Sequence, residues 1–257
     1  LMVYNLYKTD QAGKFIDEEE AQGMSLAKQE KSNMHGFWHA VLERKPVMML
    51  VLSLIVVAIG GLVELVPTFL VKSNIPTISS VKPYTPLELQ GRDIYIREGC
   101  YTCHSQMIRP FRDEVARYGD FSKGGEFVYD HPFQWGSKRT GPDLARIGGK
   151  YSDSWHYVHM LDPQTVAPGS IMPSYPWLFD NDLDISSTPA KIRAMQTLGV
   201  PYPEGYDQKA IEDVQKQAAN VVKSLAADKI EVSPDKEIIA LIAYLQRMGR
   251  DARLSNK

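Results

Sequence analysis

Both cysteines of this chain fall within one five-residue run, Cys100-Tyr-Thr-Cys-His104. C-x-x-C-H is the spacing at which a c-type haem is attached. Each thiol adds to one vinyl group of the porphyrin, and the histidine that follows at once reaches the iron from the same side. Iron held by protein ligands on both faces changes oxidation state with little rearrangement, so such a chain is suited to moving electrons. Other uses of the pair fit less well. A structural zinc site takes four ligands, usually as two spaced pairs, and His131, His156 and His159 supply no matching spacing. A thioredoxin-like pair follows a strand in a βαβ pattern and lacks the trailing histidine. A disulfide between cysteines three apart would close a short, strained loop. The expected cofactor is therefore one covalently attached haem c on Cys100 and Cys103, with His104 as an iron ligand.

The 257 residues suffice for one or two domains, and a net charge of -2 gives no basic footprint for nucleic acid. With 23% charged residues most of the chain reads as soluble. One stretch departs from this. Pro46 to Val63 is 18 residues without a charge, followed by Glu64 and then Leu65 to Val71, with Lys45 and Lys72 bracketing the whole. A helix of about 26 residues rises roughly 39 Å, enough to span a bilayer with tilt. Pro46 suits its first turn. A cleaved signal peptide fits poorly, because 45 residues precede the run and no A-x-A site follows. Lys28, Lys31, Arg44 and Lys45 before the span, against Lys72, Lys82 and Arg92 after it, place the N-terminal side in the cytoplasm. Haem c attachment in bacteria, on the periplasmic side, agrees. The expectation is a single-pass protein of the inner membrane. Glu64, an acid near the outer end of the span, either faces a partner or snorkels to the interface.

The fold expected is mainly α, one transmembrane helix followed by a cytochrome c domain with long ordered loops. The divisions are a polar cytoplasmic segment or junction over 1–44, the anchor over 45–72, a linker over 73–84, the haem domain over 85–250 and a tail over 251–257. Thr85, Pro86 and Glu88 form a capping box that starts a helix running to about Gly99. Ser233-Pro234 starts another, whose stripe of Ile238, Ile239, Leu241, Ile242, Leu245 and Met248 ends at Gly249. Between them helices are expected near Ser152–Leu161, Pro189–Leu198 and Asp207–Asp228. Residues 105–150 and 162–186, rich in Gly, Pro and aromatics, read as ordered loops, and no strand pattern stands out.

The sixth iron position could be filled by Met, His or nothing. Met172, between prolines in Pro168-Gly-Ser-Ile-Met-Pro173, is the choice, since a stiff loop can hold a thioether against iron. Met107 is too close to His104 to reach the opposite face, while Met160 and Met248 belong to helices. His156 and His159 are the rivals, or else surface or partner-facing residues. Gly141-Pro142-Asp143-Leu144 resembles the G-P-x-L turn of class I cytochromes c, and the resemblance implies that the Pro142 carbonyl receives the N–H of the ligand His104. Gly91 and Tyr95, with Leu241 and Tyr244, are similar to the crossing terminal helices of that class, where glycine permits close approach.

Longer motifs narrow the family. Glu98-Gly-Cys-Tyr-Thr-Cys-His-Ser-Gln-Met-Ile-Arg-Pro110, Gly136-Ser-Lys-Arg-Thr-Gly-Pro-Asp-Leu144 and Pro168-Gly-Ser-Ile-Met-Pro-Ser-Tyr-Pro-Trp177 resemble the monohaem subunit II of cbb3-type cytochrome c oxidase, CcoO or FixO, over roughly residues 35 to 250. The resemblance implies a membrane complex. In it this subunit takes electrons from a dihaem cytochrome c subunit and passes them to a catalytic subunit I, whose haems b and copper reduce oxygen and pump protons. Arg109 is expected to pair with a haem propionate or to orient that interface, with weaker cases for Arg139 and Trp135. No second haem, quinone or copper motif is present, so oxygen reduction by this chain alone is not expected. The chain opens on Leu, and Tyr4-Asn-Leu-Tyr-Lys-Thr9 resembles the end of the catalytic subunit's last helix, which suggests the second half of a fused polypeptide. Two alternatives stand beside the oxidase: the small cytochrome subunit of nitric oxide reductase, and a free-standing membrane-tethered carrier.

Overall fold

The computed structural model describes residues 2–12, 38–71 and 76–254. The polar stretch 13–34 and the first linker residues, 73–75, lie outside the described residues. The chain divides into two compact units, residues 1–71 and 72–257.

The first unit is helical. Helix α1 is Met2–Ala12, α2 is Trp38–Glu43 and α3 is Pro46–Leu70. Helix α3 starts with Pro46 at its first turn and carries a second proline, Pro67, inside. Its mean hydropathy reaches 2.6 and none of the side chains in that window is buried within the protein, so length and composition suit it to crossing a membrane.

The second unit is built on a crossing of two helices. Helix α4, Pro86–Arg97, follows the expected capping box, with the Thr85 N–H donating to Glu88 Oε2 at 2.8 Å. Its partner is the helix Glu237–Arg247. Where the two cross, a Cβ placed on Gly91 would lie 2.6 Å from the Ala240 carbonyl carbon, 2.8 Å from Tyr244 Cβ, and closer still to the Ala240 oxygen. Only glycine admits that approach, and the Tyr95 and Tyr244 rings fill the space beside it, edge to face at 5.4 Å.

Helix α5, Arg112–Tyr118, lies inside a segment expected to be loop. Helix α6, Asp153–Leu161, starts as expected with the Ser152 hydroxyl accepting from the Trp155 N–H at 3.1 Å. Two single-turn helices follow, α7 (Pro163–Val166) and α8 (Trp177–Asp180). Helices α9, Thr188–Thr197, and α10, Ala210–Ala227, match the periodic segments. Residues 207–209, expected to open the second of these, lie instead in a 3-10 turn, Tyr206–Lys209. Together α9 and α10 pack the 180–232 insertion onto the domain. Ile192, Met195, Val200 and Ala210 close over Leu89, while Val214, Ala218 and Leu225 join the main core. Helix α11, Glu237–Arg247, begins three residues later than Ser233-Pro234 implies. Residues 233–236 form a turn tied sideways, with the Leu183 N–H donating to the Asp235 carbonyl at 2.6 Å.

The first residues of the expected tail, 251–254, are helical. Helix α12, Arg250–Leu254, buries Ala252, and the Ser80 hydroxyl and Lys82 N–H donate to Asp251 at 2.8 Å. That contact also anchors residues expected to form a free linker. No strand occurs among the described residues, apart from one isolated bridge between Asp182 and Lys236.

Candidate functional site

One cavity of about 620 Å³ joins the residues singled out in the sequence: Cys100, Cys103, His104, Gly141, Pro142 and Met172 all line it. Helix α4 ends at Arg97, and Gly99, at φ +69°, turns the chain into the 3-10 turn Cys100–Thr102. The Cys103 and His104 N–H groups both donate to the Cys100 carbonyl, at 3.2 and 2.9 Å, so the motif is one tight coil. No disulfide joins the two cysteines. Burial pushes the Cys100 thiol up to about 12, away from the low-pKa thiols of disulfide exchange.

His104 is held from behind. Its Nδ1 lies 2.8 Å from the Pro142 carbonyl oxygen, the partner that the G-P-x-L resemblance implied. This bond fixes Nδ1 as the protonated nitrogen and leaves Nε2 free to ligate. Burial lowers the His104 pKa, against the Pro142 bond and the Asp143 charge, which raise it. Burial thus favours the neutral imidazole, the form that binds metal. A Cβ at Gly141 would sit 2.6 Å from His104 Nδ1 and 2.7 Å from Nε2, so the ring fills the room that glycine leaves.

The long loop between these segments is fixed by buried acids. Asp143 accepts from the Ser105 hydroxyl at 2.7 Å, the Met107 N–H at 3.0 Å and the Ala145 N–H at 2.8 Å. Glu114, on α5, accepts from the Arg109 N–H at 2.9 Å and the Arg139 guanidinium at 2.7 Å, and pairs with the Arg109 guanidinium. Burial would raise the Glu114 pKa, but the bonds from Arg139 and Arg109 hold it at about 2. The structure therefore places Arg109 and Arg139 in the loop's own bracing, and neither lines the cavity. Trp135 stacks on Phe133 at 4.5 Å, also away from it.

Met172 is half-buried against the core. Its loop is tied by the Tyr175 N–H to the Met160 carbonyl at 2.9 Å and by the Met172 N–H to the Ser170 hydroxyl at 3.2 Å. The cavity's remaining wall comes from α6. Tyr151, Trp155 and His159 stack along one side, at 4.0 and 4.5 Å between ring centroids. His156, expected on the surface or facing a partner, is instead 2% exposed. Its four-residue spacing from buried Met160 puts both on one helix face, a signal present in the sequence. Arg117, Arg146 and Lys150 also reach the lining, and sequence reasoning did not single them out.

These residues fit a haem. One imidazole and one thioether are too few donors for a bare ion, whereas a porphyrin supplies four of its own. Among the described residues no three His, Cys, Asp or Glu side chains converge on a metal position. The lining is dominated by apolar side chains; two nitrogens of its histidines, His156 Nε2 and His159 Nδ1, are buried with no hydrogen-bond partner among the described residues.

The fold and site together define a mono-haem cytochrome domain, preceded in sequence by a helix suited to the membrane. Residues 39–252 match the family described as cytochrome c oxidase, mono-haem subunit/FixO, and the chain belongs to that family. It is thus a component of an oxidase complex, with a haem as its cofactor. Comparison with curated proteins finds no match.

Proposed function

We propose that this chain is the electron-relay subunit of a cbb3-type cytochrome c oxidase. It takes electrons from a dihaem cytochrome c subunit and delivers them to the catalytic subunit that holds haems b and copper. The observation that carries this reading is the convergence of Cys100, Cys103, His104 and Met172 on one cavity, with His104 oriented by Pro142.

In this reading Cys100 and Cys103 would hold the group covalently through its vinyl carbons, and His104 Nε2 and the Met172 sulfur would be the protein ligands of its iron. When bound, the haem supplies one-electron chemistry, and a His/Met pair sets a high potential. The chain's own part is to keep Nδ1 protonated, hold both ligands still and exclude water with Tyr95, Leu241, Leu245 and Ile147. Rigid ligands keep the rearrangement on electron transfer small.

Helix α3 serves as the single-pass anchor in the bacterial inner membrane, with the haem domain, residues 85–250, in the periplasm. The excess of Lys and Arg before the span supports that orientation.

The test is oxygen uptake by the complex co-purified through a tag on this chain, with reduced cytochrome c as donor. Rapid uptake that is lost on replacing Cys100 and Cys103 with Ala is expected. A preparation that stains for haem c yet takes up no oxygen overturns the oxidase assignment and favours nitric oxide reductase or a free-standing carrier.

A further inference from the structure

The methionine side of the site is tied to the cysteine side through one acid. Glu98 lines the cavity just before the attachment turn, and its side chain is 12% exposed. Its two oxygens take partners from opposite directions. Oε1 accepts from the Arg97 guanidinium at 2.8 Å, and the terminal nitrogens of that guanidinium hold Glu237, at the start of α11, at 2.6 Å each. Oε2 accepts from the Trp177 indole N–H at 3.1 Å. Trp177 opens α8, directly after the loop that carries Met172. The far end of α8 returns to the same cluster, where the Glu237 N–H donates to the Asn181 carbonyl at 3.2 Å. Leu178, on the inner face of α8, is fully buried. Helix α8 is therefore fixed at both ends and along one side.

The loop before it has fewer ties. Gly169 takes φ +80°, and Ile171, next to Met172, is 80% exposed. The Ser170 carbonyl accepts from the Gln164 amide at 3.3 Å, and the Tyr175 N–H donates to the Met160 carbonyl at 2.9 Å. Both partners belong to the segment that leads into the loop. Among the described residues, the bond from Trp177 to Glu98 is the one hydrogen bond from residues 168–177 that reaches the stretch carrying Cys100, Cys103 and His104. Its acceptor is an ion-paired carboxylate, which makes it stronger than a bond between neutral groups. Loops open locally at lower cost than the helices they join, so a ligand carried on one stays in place only as well as the loop's stem is fixed.

Resting on the haem reading given above, we infer that Glu98 and Trp177 are positioning residues whose hydrogen bond latches the Met172 loop to the cysteine motif and keeps the thioether on the iron. With the latch made, the loop opens rarely and small molecules seldom reach the sixth position. Trp177 is itself 42% exposed, so its N–H can be removed without opening the core.

The experiment uses the intact membrane complex carrying Trp177→Phe, which keeps a ring but no N–H, Glu98→Ala, and the two together. Haem c staining and the methionine–iron optical signal come first, with Met172→Ala assigning the part of that signal that belongs to this chain. A wild-type complex that does not stain, or whose signal survives Met172→Ala intact, fails the haem reading and takes the inference with it. The probe is imidazole added to the oxidised complex. The readouts are the rate at which it removes the assigned signal and the hydrogen exchange of residues 168–177. Each single variant should lose the signal roughly tenfold faster, the size of effect that one hydrogen bond to a charged group supports. The double variant should be no faster than the singles, because all three remove the same bond. Exchange should rise in residues 168–177 and stay at the wild-type level in 86–97 and 237–247. Wild-type displacement rates in the single variants overturn the inference. Effects that multiply in the double variant overturn it too, since the two side chains would then act independently. So does exchange that rises equally in both helices, which would make the bond a general stabiliser and not a latch.

Discussion

Gly141→Ala is the smallest change that tests how His104 is held. The added Cβ would lie 2.6 Å from Nδ1 and 2.7 Å from Nε2, whereas such atoms rest about 3.5 Å apart or more. Backbone on one side and ring on the other leave the ring to yield, by about 1 Å. The same movement takes the 2.8 Å bond from Nδ1 to the Pro142 carbonyl beyond the ~3.2 Å at which such bonds end. Overpacking costs about 1–3 kcal/mol, and the lost bond adds roughly 0.5–1.5 kcal/mol. A ligand histidine without its acceptor is a weaker base, so the ferric state loses more than the ferrous state and the potential rises. If the whole bond energy were expressed in the couple, the rise would be about 60 mV at most, on the scale of 59 mV per tenfold change for one electron. The assays are a thermal melt and a spectroelectrochemical titration of the purified complex. A variant with wild-type melting temperature and potential would refute both the fit of the ring against Gly141 and the role of Pro142.

Further outcomes follow from the same geometry. Arg92 and Asp130 form a 2.6 Å ion pair with 3% of each side chain exposed, so Arg92→Met strands a buried carboxylate and should cost about 3–5 kcal/mol in a melt. Replacing both, Arg92→Met with Asp130→Leu, should recover most of that loss. Glu114 is held at about 2, below its unfolded value of about 4.3. Its stabilisation is therefore present above pH ~4.3 and lost as pH falls through about 2. Glu114→Gln should melt earlier at neutral pH and converge on wild type in acid; parallel curves across that range would exclude the carboxylate as the cause. Met172→Ala should abolish the methionine–iron optical signature and lower the potential while haem c staining persists. An unchanged signature would remove Met172 from the ligand set.

The helices of the haem domain were legible because their signals are periodic and local. The Thr85–Glu88 box and the apolar stripe from Ile238 to Leu245 each encode one contact with a neighbour of known direction, while Gly91 was singled out only through the resemblance to class I cytochromes c. The loop 105–150 was legible only as ordered, since its order resides in polar contacts between residues far apart in sequence. Arg109 illustrates the difficulty. An arginine five residues past the haem histidine invites a carboxylate of the haem, yet Glu114 takes it. The acid could have been noticed as a nearby partner, but nothing local says that Arg139 arrives from the other end of the loop to complete the cluster. His156 failed for a related reason, because histidine carries no hydropathy signal strong enough to declare a buried face.

The core and the site in this domain are the same surface. Tyr95, Leu144, Ile147, Met160, Leu241 and Leu245 belong to the main hydrophobic cluster and also line the cavity of about 620 Å³. A ring seated there would pack against the same apolar side chains that hold the crossing helices together. Stability and redox tuning then act through shared residues. A substitution such as Leu245→Ala changes packing against α4 and the dielectric around the iron together, so neither effect can be assigned without measuring both. The polar cluster at Glu114, by contrast, is braced outside the cavity, whereas Asp143 lines it. The Glu114 cluster can vary in strength with acid or mutation and change how well the loop is held before it changes the chemistry of the centre itself.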